Sequence, residues 1–306
     1  MAHDLLPAEL PLRRSELTCP GHSAQMMAKA AASAADEVIL DLEDSCAVSQ
    51  KVAARATVVE ALNTLDFGGR IRAFRPNPFD SRFFHKDLVE VVSAAGARLD
   101  VVVLPKVGSA DEVRFVDRLL SLIEQDAGLP VGRLRLEVLI ESAAGVLHAE
   151  AIAAASPRMA SLIFGIADYA GDTSARELGD EQFAVYHYPK AKIIAAARAA
   201  GIDAIDNVTL RFRDLAQCER DAARAAQLGF DGKWAVHPDQ VPVINRAFSP
   251  TPDELARAAE IIALYRQADS DRGLGAIVYQ DEMVDAATLR VEWKRLSIGK
   301  KAGLIA

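Results

Sequence analysis

The chain has 306 residues, 51% of them hydrophobic, which is enough to bury one large core. Its formal net charge of −8 argues against nucleic-acid binding, because that function needs clustered lysine and arginine. No apolar run approaches the about 20 residues of a membrane span, and Met1 to Asp4 lack the features of a signal peptide. We therefore expect a cytoplasmic protein that acts on small molecules rather than on membranes.

Three cysteines occur without CxxC spacing, so the sequence predicts neither a disulfide framework nor a zinc site. We expect buried thiols at Cys19, Cys46 and Cys218.

Short β-branched runs alternate with alanine-rich amphipathic stretches along the chain, which is typical of βαβ units around a parallel sheet. The predicted strands are Glu16 to Cys19, Val38 to Leu42, Ile71 to Arg75, Val101 to Pro105, Leu134 to Ile140, Ser161 to Ile166, Ala204 to Val208 and Lys233 to Val236. The predicted helices lie around 23–35, 49–64, 81–95, 110–126, 144–155, 181–200, 214–228 and 238–246.

Eight such pairs in roughly 250 residues predict an α/β fold, the (β/α)8 TIM barrel. A doubly wound sheet has the same rhythm, but its GxGxxG fingerprint is absent after the first strand. We assign residues 1–248 to the barrel and 249–306 to a C-terminal helix and lid segment. Thr251 or Asp253 can cap that helix, and the tail from Ile277 is predicted to be a lid or a subunit-swapped arm.

Polar residues follow the predicted strands, where a TIM barrel places its chemistry. Glu141 follows the fifth strand and Asp168 closes the sixth, so we expect the two carboxylates on adjacent strands. Two hard carboxylate oxygens with open positions for water and substrate suit Mg²⁺ better than zinc or calcium. Either acid alone could merely cap a helix, but the pair predicts a metal site.

Arg75 ends the third strand, where it could clamp a carboxylate and stabilise an enolate, or form a structural ion pair. Asp41, Glu43 and Asp44 after the second strand could orient Arg75, hold waters of the metal or cap the next helix. Lys106 could pair with those acids. His237 could serve the ligand or only satisfy a backbone group.

These residues resemble the HpcH/HpaI aldolase and citrate lyase β-subunit superfamily, and within it the malyl-CoA lyases. The resemblance covers nearly the whole chain in eight ordered blocks. They are Pro20-Gly21 with Lys29-Ala30, Ala35-Asp36 through Asp41-Leu42-Glu43-Asp44, Lys51 with Ala54-Arg55, Arg75-Pro76-Asn77, Leu104-Pro105-Lys106-Val107, Ile140-Glu141-Ser142-Ala143-Ala144-Gly145, Phe164-Gly165-Ile166-Ala167-Asp168-Tyr169 and Gly232-Lys233-Trp234-Ala235-Val236-His237-Pro238-Asp239-Gln240.

The resemblance implies a TIM barrel with Mg²⁺ on Glu141 and Asp168 and with substrate oxygens on Arg75. It also implies a C-terminal segment that closes over a neighbouring subunit and brings Asp285, hence a homotrimer or homohexamer. With it we expect catalytic roles for Arg75, Asp285 and Asp44. The residues expected to bind substrate or coenzyme A are Lys29, Arg75, Glu43, Lys106, Trp234 and His237.

The chain departs from that family pattern at the expected coenzyme A site. Ser23 stands where malyl-CoA lyases often carry an arginine, and Thr18 replaces a larger residue. Loss of one charged contact would weaken binding by about 1 to 3 kcal/mol. The stretch from Tyr169 to Lys190 is also shorter than in many malyl-CoA lyases, which leaves the acyl group open.

The expected function is an Mg²⁺-dependent carbon–carbon lyase that cleaves or forms a 3-hydroxy-dicarboxylic acyl-CoA, such as malyl-CoA, through an enolate. One alternative is a lyase for citryl-CoA or citramalyl-CoA that is similar to the citrate lyase β chain. A second is a CoA-independent class II aldolase for 2-oxo acids. A third, outside the enzymes, is an inert subunit that needs an acyl-carrier partner.

Overall fold

A computed structural model describes residues 11–176, 185–272 and 275–305. The strands of its larger unit are Ser15–Pro20 (β1), Glu37–Asp41 (β2), Ile71–Arg75 (β3), Val101–Leu104 (β4), Arg135–Ile140 (β5), Met159–Phe164 (β6), Asp203–Asp206 (β7) and Gly232–Ala235 (β8). All pair in parallel in chain order, and β8 closes the barrel on β1. The predicted (β/α)8 barrel is confirmed.

Helices follow the strands, and several begin at polar caps. They are Ala24–Ala31 (α1), Lys51–Thr64 (α2), Phe84–Ala95 (α3), Ala110–Asp126 (α4), Ala143–Leu147 (α5), Ala149–Ala153 (α6), Ile166–Asp172 (α7), His187–Ala200 (α8), Leu215–Leu228 (α9) and Gln240–Ala247 (α10). The hydroxyls of Ser23 and Ser109 accept backbone N–H bonds at the starts of α1 and α4. These caps stand just outside the helices, so the helix predicted from residue 23 begins at Ala24.

Two boundaries were predicted wrongly. Strand β6 ends at Phe164, and Ile166 already begins α7, so Asp168 lies in the first turn of a helix instead of closing the sixth strand. The helix predicted at 144–155 is broken at His148, whose ring Nδ1 lies 2.8 Å from the carbonyl oxygen of Gly108. Of the helix predicted at 181–200, positions 181–184 lie outside the described residues.

The barrel interior is layered, because alternate residues of a strand share one face. On β2 the inward residues are Glu37, Ile39 and Asp41, and on β5 they are Glu137 and Leu139, with Glu141 next in the same alternation just after the strand. The middle layer is apolar and joins buried side chains from seven strands. They are Ile39, Ile71, Ala73, Val101, Val103, Leu139, Ile163, Ile205 and Trp234. Polar layers therefore lie at both ends of an apolar one.

The larger unit spans Arg13–Asn245, and the remaining described residues form a second unit. The second unit contains helix Pro252–Arg272 (α11), strands Ala276–Tyr279 (β9) and Glu282–Asp285 (β10), and helix Ala286–Lys301 (α12). Its core contains Ile261, Ile262, Tyr279, Val284 and Leu289. Residues 273–274, between α11 and β9, lie outside the described residues.

Local residues explain the turn between β9 and β10 and the start of α11. Gln280 and Asp281 both have positive φ, 47° and 65°, which is the backbone of a two-residue type I′ turn. Thr251 accepts the Glu254 N–H at 3.2 Å, so the expected cap at the start of α11 is formed.

Within the described residues, every helix is too short or too polar to cross a membrane. The three cysteines are buried thiols, as predicted.

Candidate active site

Arg75 and Asp41 form a bidentate ion pair where β3 and β2 end. Arg75 Nε and Nη2 donate to the two Asp41 oxygens at 2.7 and 2.8 Å. The Ser45 hydroxyl and the Glu43 N–H also donate to Asp41. Burial alone would raise the pKa of Asp41, but Arg75 and these donors outweigh it and hold that pKa below its ordinary value. Asp41 is thus a fixed carboxylate that orients Arg75.

Glu43 lies between two cations. Its oxygens are 2.8 Å from Arg75 Nη1 and 2.9 Å from Lys106 Nζ. Both contacts are ion pairs whose angles do not meet hydrogen-bond geometry, and neither oxygen has a hydrogen-bond partner among the described residues. Burial raises the pKa of Glu43 despite both cations. Asp44, the next residue, is exposed and lies 3.7 Å from Lys106 Nζ. The end of β2 and the loop after it therefore supply three acids, Asp41, Glu43 and Asp44, to one end of the barrel.

Glu141 directly follows β5, and its carboxylate has little positive charge to balance it. Its residue is 4% exposed, and one oxygen accepts the Lys106 N–H at 2.7 Å. Burial, with Glu43 and Asp168 nearby, raises the pKa of Glu141 to about 8. A buried carboxylate in this position is costly unless a cation joins it.

Gly165 makes room for Glu141. A Cβ at this position would lie 2.5 Å from Glu141 Cβ and 2.6 Å from its Oε2. The residue between β6 and α7 must therefore lack a side chain. The carboxylate occupies the space that a side chain at residue 165 would fill.

Asp168 approaches the same place from the first turn of α7. Its side chain is 40% exposed, and Oδ1 lies 3.5 Å from Lys106 Nζ. Lys106 thus touches both acids, Glu141 through its backbone N–H and Asp168 through its ammonium. Lys106 has a left-handed φ of 54°, which is uncommon for a residue with a side chain.

The set comprising Asp41, Glu43, Arg75, Lys106, Glu141 and Asp168 is called the mouth site below. Its donors are carboxylate oxygens, which suit a hard divalent ion such as Mg²⁺. The buried Glu141, with its raised pKa and the cradle at Gly165, fits such an ion. Glu141 and Asp168 are the residues that could hold it.

A buried network supports the loop that carries Glu43. Lys51 Nζ donates to the carbonyl oxygens of Leu42 and Glu43 at 3.0 and 2.7 Å, and it also bonds Asn77. Asn77 in turn donates to Asp87, which Arg55 pairs at 2.6 Å. This network fixes the backbone of the loop after β2, and Lys51 contacts Glu43 through its carbonyl oxygen and not through its carboxylate.

The remaining predicted residues have varied settings. Lys29 is exposed on α1, and Ser23 caps that helix. Trp234 is 4% exposed in the apolar layer, with Arg75 Cζ 5.5 Å from the centre of its ring. The His237 ring stacks on Phe212 and accepts the Asp239 N–H at 3.2 Å, so it does satisfy a backbone group.

Asp285 belongs to the second unit, where it caps α12. Its Oδ1 accepts the N–H groups of Ala287 and Thr288, both at 2.9 Å. These bonds to the charged form hold the pKa of Asp285 below its ordinary value. The carboxylate is therefore ionised and oriented at neutral pH.

The model for the HpcH/HpaI aldolase/citrate lyase family matches residues 14–238. An L-malyl-CoA/beta-methylmalyl-CoA lyase of Cereibacter sphaeroides is 40% identical over 294 residues, covering 90% of this chain and 91% of that protein. A citrate lyase subunit beta of Leuconostoc mesenteroides subsp. cremoris is 36% identical, with 90% and 89% covered.

Among solved structures, the protein CitE of Mycobacterium tuberculosis in complex with magnesium, acetoacetate and coenzyme A is similar throughout. Its TM-score is 0.76 at 29% identity, with 95% of this chain and 98% of that one covered. Similarity in sequence and in structure thus extends over nearly the whole length. The chain belongs to the HpcH/HpaI aldolase/citrate lyase family.

Proposed function

We propose that this protein is an Mg²⁺-dependent carbon–carbon lyase for a 3-hydroxy-dicarboxylic acyl-CoA, cleaving malyl-CoA to glyoxylate and acetyl-CoA or running in reverse. The observation that carries the proposal is the buried Glu141 carboxylate beside Asp168, with Arg75 fixed on the same face. The similarity to enzymes named malyl-CoA lyases supports the choice of substrate.

Glu141 and Asp168 would hold Mg²⁺, which supplies a Lewis acid for the hydroxyl and carboxylate oxygens of the glyoxylate half. The chain contributes the shape of this site. Because Gly165 has no side chain, Glu141 has room beside the turn before α7, and the Lys106 N–H fixes one oxygen of Glu141.

Arg75 would stabilise the enolate that bond cleavage leaves on the acetyl half. Two of its five N–H donors, on Nε and Nη2, bond Asp41, and Nη1 lies 2.8 Å from Glu43 without a well-directed bond, so by the bonds among the described residues both terminal nitrogens keep an N–H for the substrate. Those donors are held before the substrate arrives, because Asp41 grips the guanidinium and Trp234 lies beneath it. Preorganised donors of this kind are strong stabilisers of developing negative charge.

Lys106, Glu43, Asp44 and His237 complete the proposed substrate site. The Lys106 ammonium is the exposed cation of the mouth, and it can pair with a substrate carboxylate. Asp44 is the exposed acid and is our proposal for a second catalytic carboxylate.

Coenzyme A would lie near α1, where Lys29 is exposed for a phosphate. Ser23 offers no charge there, since it caps the helix. The missing charge at Ser23 favours weaker binding of coenzyme A. The CoA-independent aldolase therefore stays the second candidate function. Calorimetric titration with acetyl-CoA separates the two, because the aldolase should show no binding at millimolar ligand.

The proposal includes a homotrimer or homohexamer in which Asp285 of one subunit exchanges a proton at the enolate carbon of its neighbour. Asp285→Asn tests this sharply, since asparagine is an equally good helix cap and should leave α12 intact. We expect lost turnover with unchanged Mg²⁺ binding and unchanged thermal unfolding. An active Asp285→Asn variant would remove the residue from the mechanism.

The decisive assay uses purified protein with malyl-CoA, methylmalyl-CoA, citramalyl-CoA and citryl-CoA, each with Mg²⁺ and with EDTA. We expect Mg²⁺-dependent release of acetyl-CoA or its methyl homologue from the first two. Preference for citryl-CoA or citramalyl-CoA would favour a lyase like the citrate lyase β chain. Inertness on every free thioester would favour a subunit that needs an acyl carrier, and would contradict the proposal.

A further inference from the structure

Three glutamates meet at the end of the barrel interior opposite the mouth site. Glu16 on β1, Glu37 on β2 and Glu137 on β5 are each 0% exposed. One carboxylate oxygen from each lies within 4.8 Å of the others. We call these three residues the floor cluster.

The floor cluster has too little positive charge nearby. Arg13 Nε lies 2.6 Å from Glu137 and 3.3 Å from Glu37, while its Nη1 pairs with Asp203 at 3.0 Å. One guanidinium therefore serves several acids. Among the described residues, both oxygens of Glu16, both of Glu37 and one of Glu137 accept no well-directed hydrogen bond from an N–H or hydroxyl group, so only a proton shared between the carboxyl groups or a cation can relieve their repulsion.

The uncharged hydroxyl of Ser161 is a second, independent sign that a ligand belongs at the floor cluster. Ser161 on β6 is fully buried, and its hydroxyl has no hydrogen-bond partner among the described residues. In the sheet register Ser161 stands between Glu137 on β5 and Asp203 on β7, so its side chain shares their inward face. Buried hydroxyls are normally bonded, and one left without a partner beside acids indicates a missing ligand.

We propose that the floor cluster binds a second divalent cation, separate from the Mg²⁺ of the mouth site, and that Ca²⁺ fits it best. The three glutamates and Ser161 offer six oxygens that no hydrogen bond occupies, and Ca²⁺ takes about 6 to 8 oxygen ligands. Opposite oxygens around Ca²⁺ lie about 4.6 to 5.2 Å apart, so oxygens that all lie within 4.8 Å of one another can share such an ion.

An apolar layer separates the two proposed ion sites inside the barrel. Glu137 lies on β5 and Glu141 directly follows that strand, four residues or about 13 Å further along, with the apolar layer of Leu139 between them. Because the floor is closed, its ion would enter as the chain folds, and binding would be coupled to folding. The inference is independent of the proposed enzymatic activity.

The test starts with wild-type protein unfolded in denaturant with EDTA, refolded with Ca²⁺, passed over a desalting column and analysed by elemental mass spectrometry. We expect about one Ca²⁺ retained per chain. Glu141→Gln should also retain it, while Glu16→Gln and Glu37→Gln should lose it. The control Glu124→Gln removes a buried acid paired with Arg158 elsewhere and should keep the ion.

Retention that is absent in the wild type, or equal in Glu16→Gln, would overturn the proposal. If the floor variants fail to fold, wild-type crystals grown after refolding with Mn²⁺ decide the matter. An anomalous peak among Glu16, Glu37 and Glu137 supports the site. A peak at Glu141 and Asp168 alone overturns it.

Discussion

The two ends of the barrel contain similar groups in different surroundings. At the mouth, Arg75 lies among Asp41, Glu43 and Glu141, and at the floor Arg13 lies among Glu16, Glu37 and Glu137. The mouth remains open to solvent, with the side chains of Lys106 and Asp168 37% and 40% exposed. The floor acids are fully enclosed. The two ends therefore differ in solvent access and not in the kind of residue, and only the mouth is open to a substrate.

The chain segments that supply the acids differ as well. Glu43, Lys106 and Asp168 lie just beyond their strands, in loops or in the first turn of α7, where a side chain can meet a substrate. Glu16, Glu37 and Glu137 lie within strands, where the sheet register sets their positions. Loops at the carboxyl ends of strands can therefore vary function without disturbing the barrel.

The largest expected contrast comes from Arg75→Lys and its floor counterpart Arg13→Lys. Lysine keeps the charge but lacks the planar fork. At the mouth it cannot hold Asp41 and also present two donors, so we expect kcat/KM to fall by about 10²- to 10³-fold. At the floor we expect lower stability but an unchanged kcat/KM per folded molecule.

Steady-state kinetics together with urea unfolding measure both effects. An Arg75→Lys enzyme with wild-type kcat/KM, or an equal loss of kcat/KM in Arg13→Lys, would contradict the claim that only the mouth takes part in catalysis.

A smaller effect is expected at Gly165, the residue that cradles Glu141. Gly165→Ala places a methyl group 2.5 Å from Glu141 Cβ. We expect about 1 to 3 kcal/mol of lost stability, the range for overpacking, and a lower kcat because the carboxylate must move. The matched control is Gly171→Ala in α7, where an added Cβ meets none of the described residues within 4 Å and should stabilise the helix by about 0.5 to 1 kcal/mol.

Thermal or chemical unfolding distinguishes the two glycine variants. If Gly165→Ala is as stable and as active as Gly171→Ala, then Glu141 does not depend on the cradle.

The role of Gly165 shows where sequence reasoning stops. The strand and helix rhythm was sufficient to predict the barrel, and Arg75 and Glu141 were predicted as site residues because one ends an apolar strand and the other directly follows one. Gly165 carries no such signal, since its constraint comes from a side chain 24 positions earlier that only the fold brings close. Asp168 was placed on a strand because the apolar run before it extends past the true strand end at Phe164.

The support under the loop after β2 was missed for a related reason. Lys51 has the pattern of an exposed helical lysine, yet it is buried and bonds Leu42, Glu43 and Asn77. The floor cluster was also missed, because convergence of Glu16, Glu37 and Glu137 requires the register of a closed sheet. Contacts between distant segments are what the single sequence does not contain.

The smallest of these effects is a pH dependence at the floor. Burial, with the neighbouring acids, raises the pKa values of Glu16 and Glu37 well above those of free glutamate. For acids with raised folded pKa values, stability is fully present below the unfolded pKa of about 4.3 and is lost as pH rises.

In EDTA, Glu16→Gln should therefore be more stable than the wild type at pH 8, and the difference should shrink towards pH 5. After refolding with Ca²⁺ the order should reverse, because only the wild type keeps its ion. Urea unfolding at several pH values gives both comparisons. A difference that does not change with pH would mean that Glu16 is not the group that titrates.

The most direct measurement is the Mg²⁺ dependence of malyl-CoA cleavage for the wild type, Glu141→Gln and Glu137→Gln. We predict saturable activation by Mg²⁺ and no activity in EDTA for the wild type. Glu141→Gln should stay inactive at every Mg²⁺ concentration, while refolded Glu137→Gln should respond to Mg²⁺ as the wild type does. Cleavage that persists in EDTA, or full activity of Glu141→Gln, would contradict a metal-dependent lyase site at the mouth of the barrel.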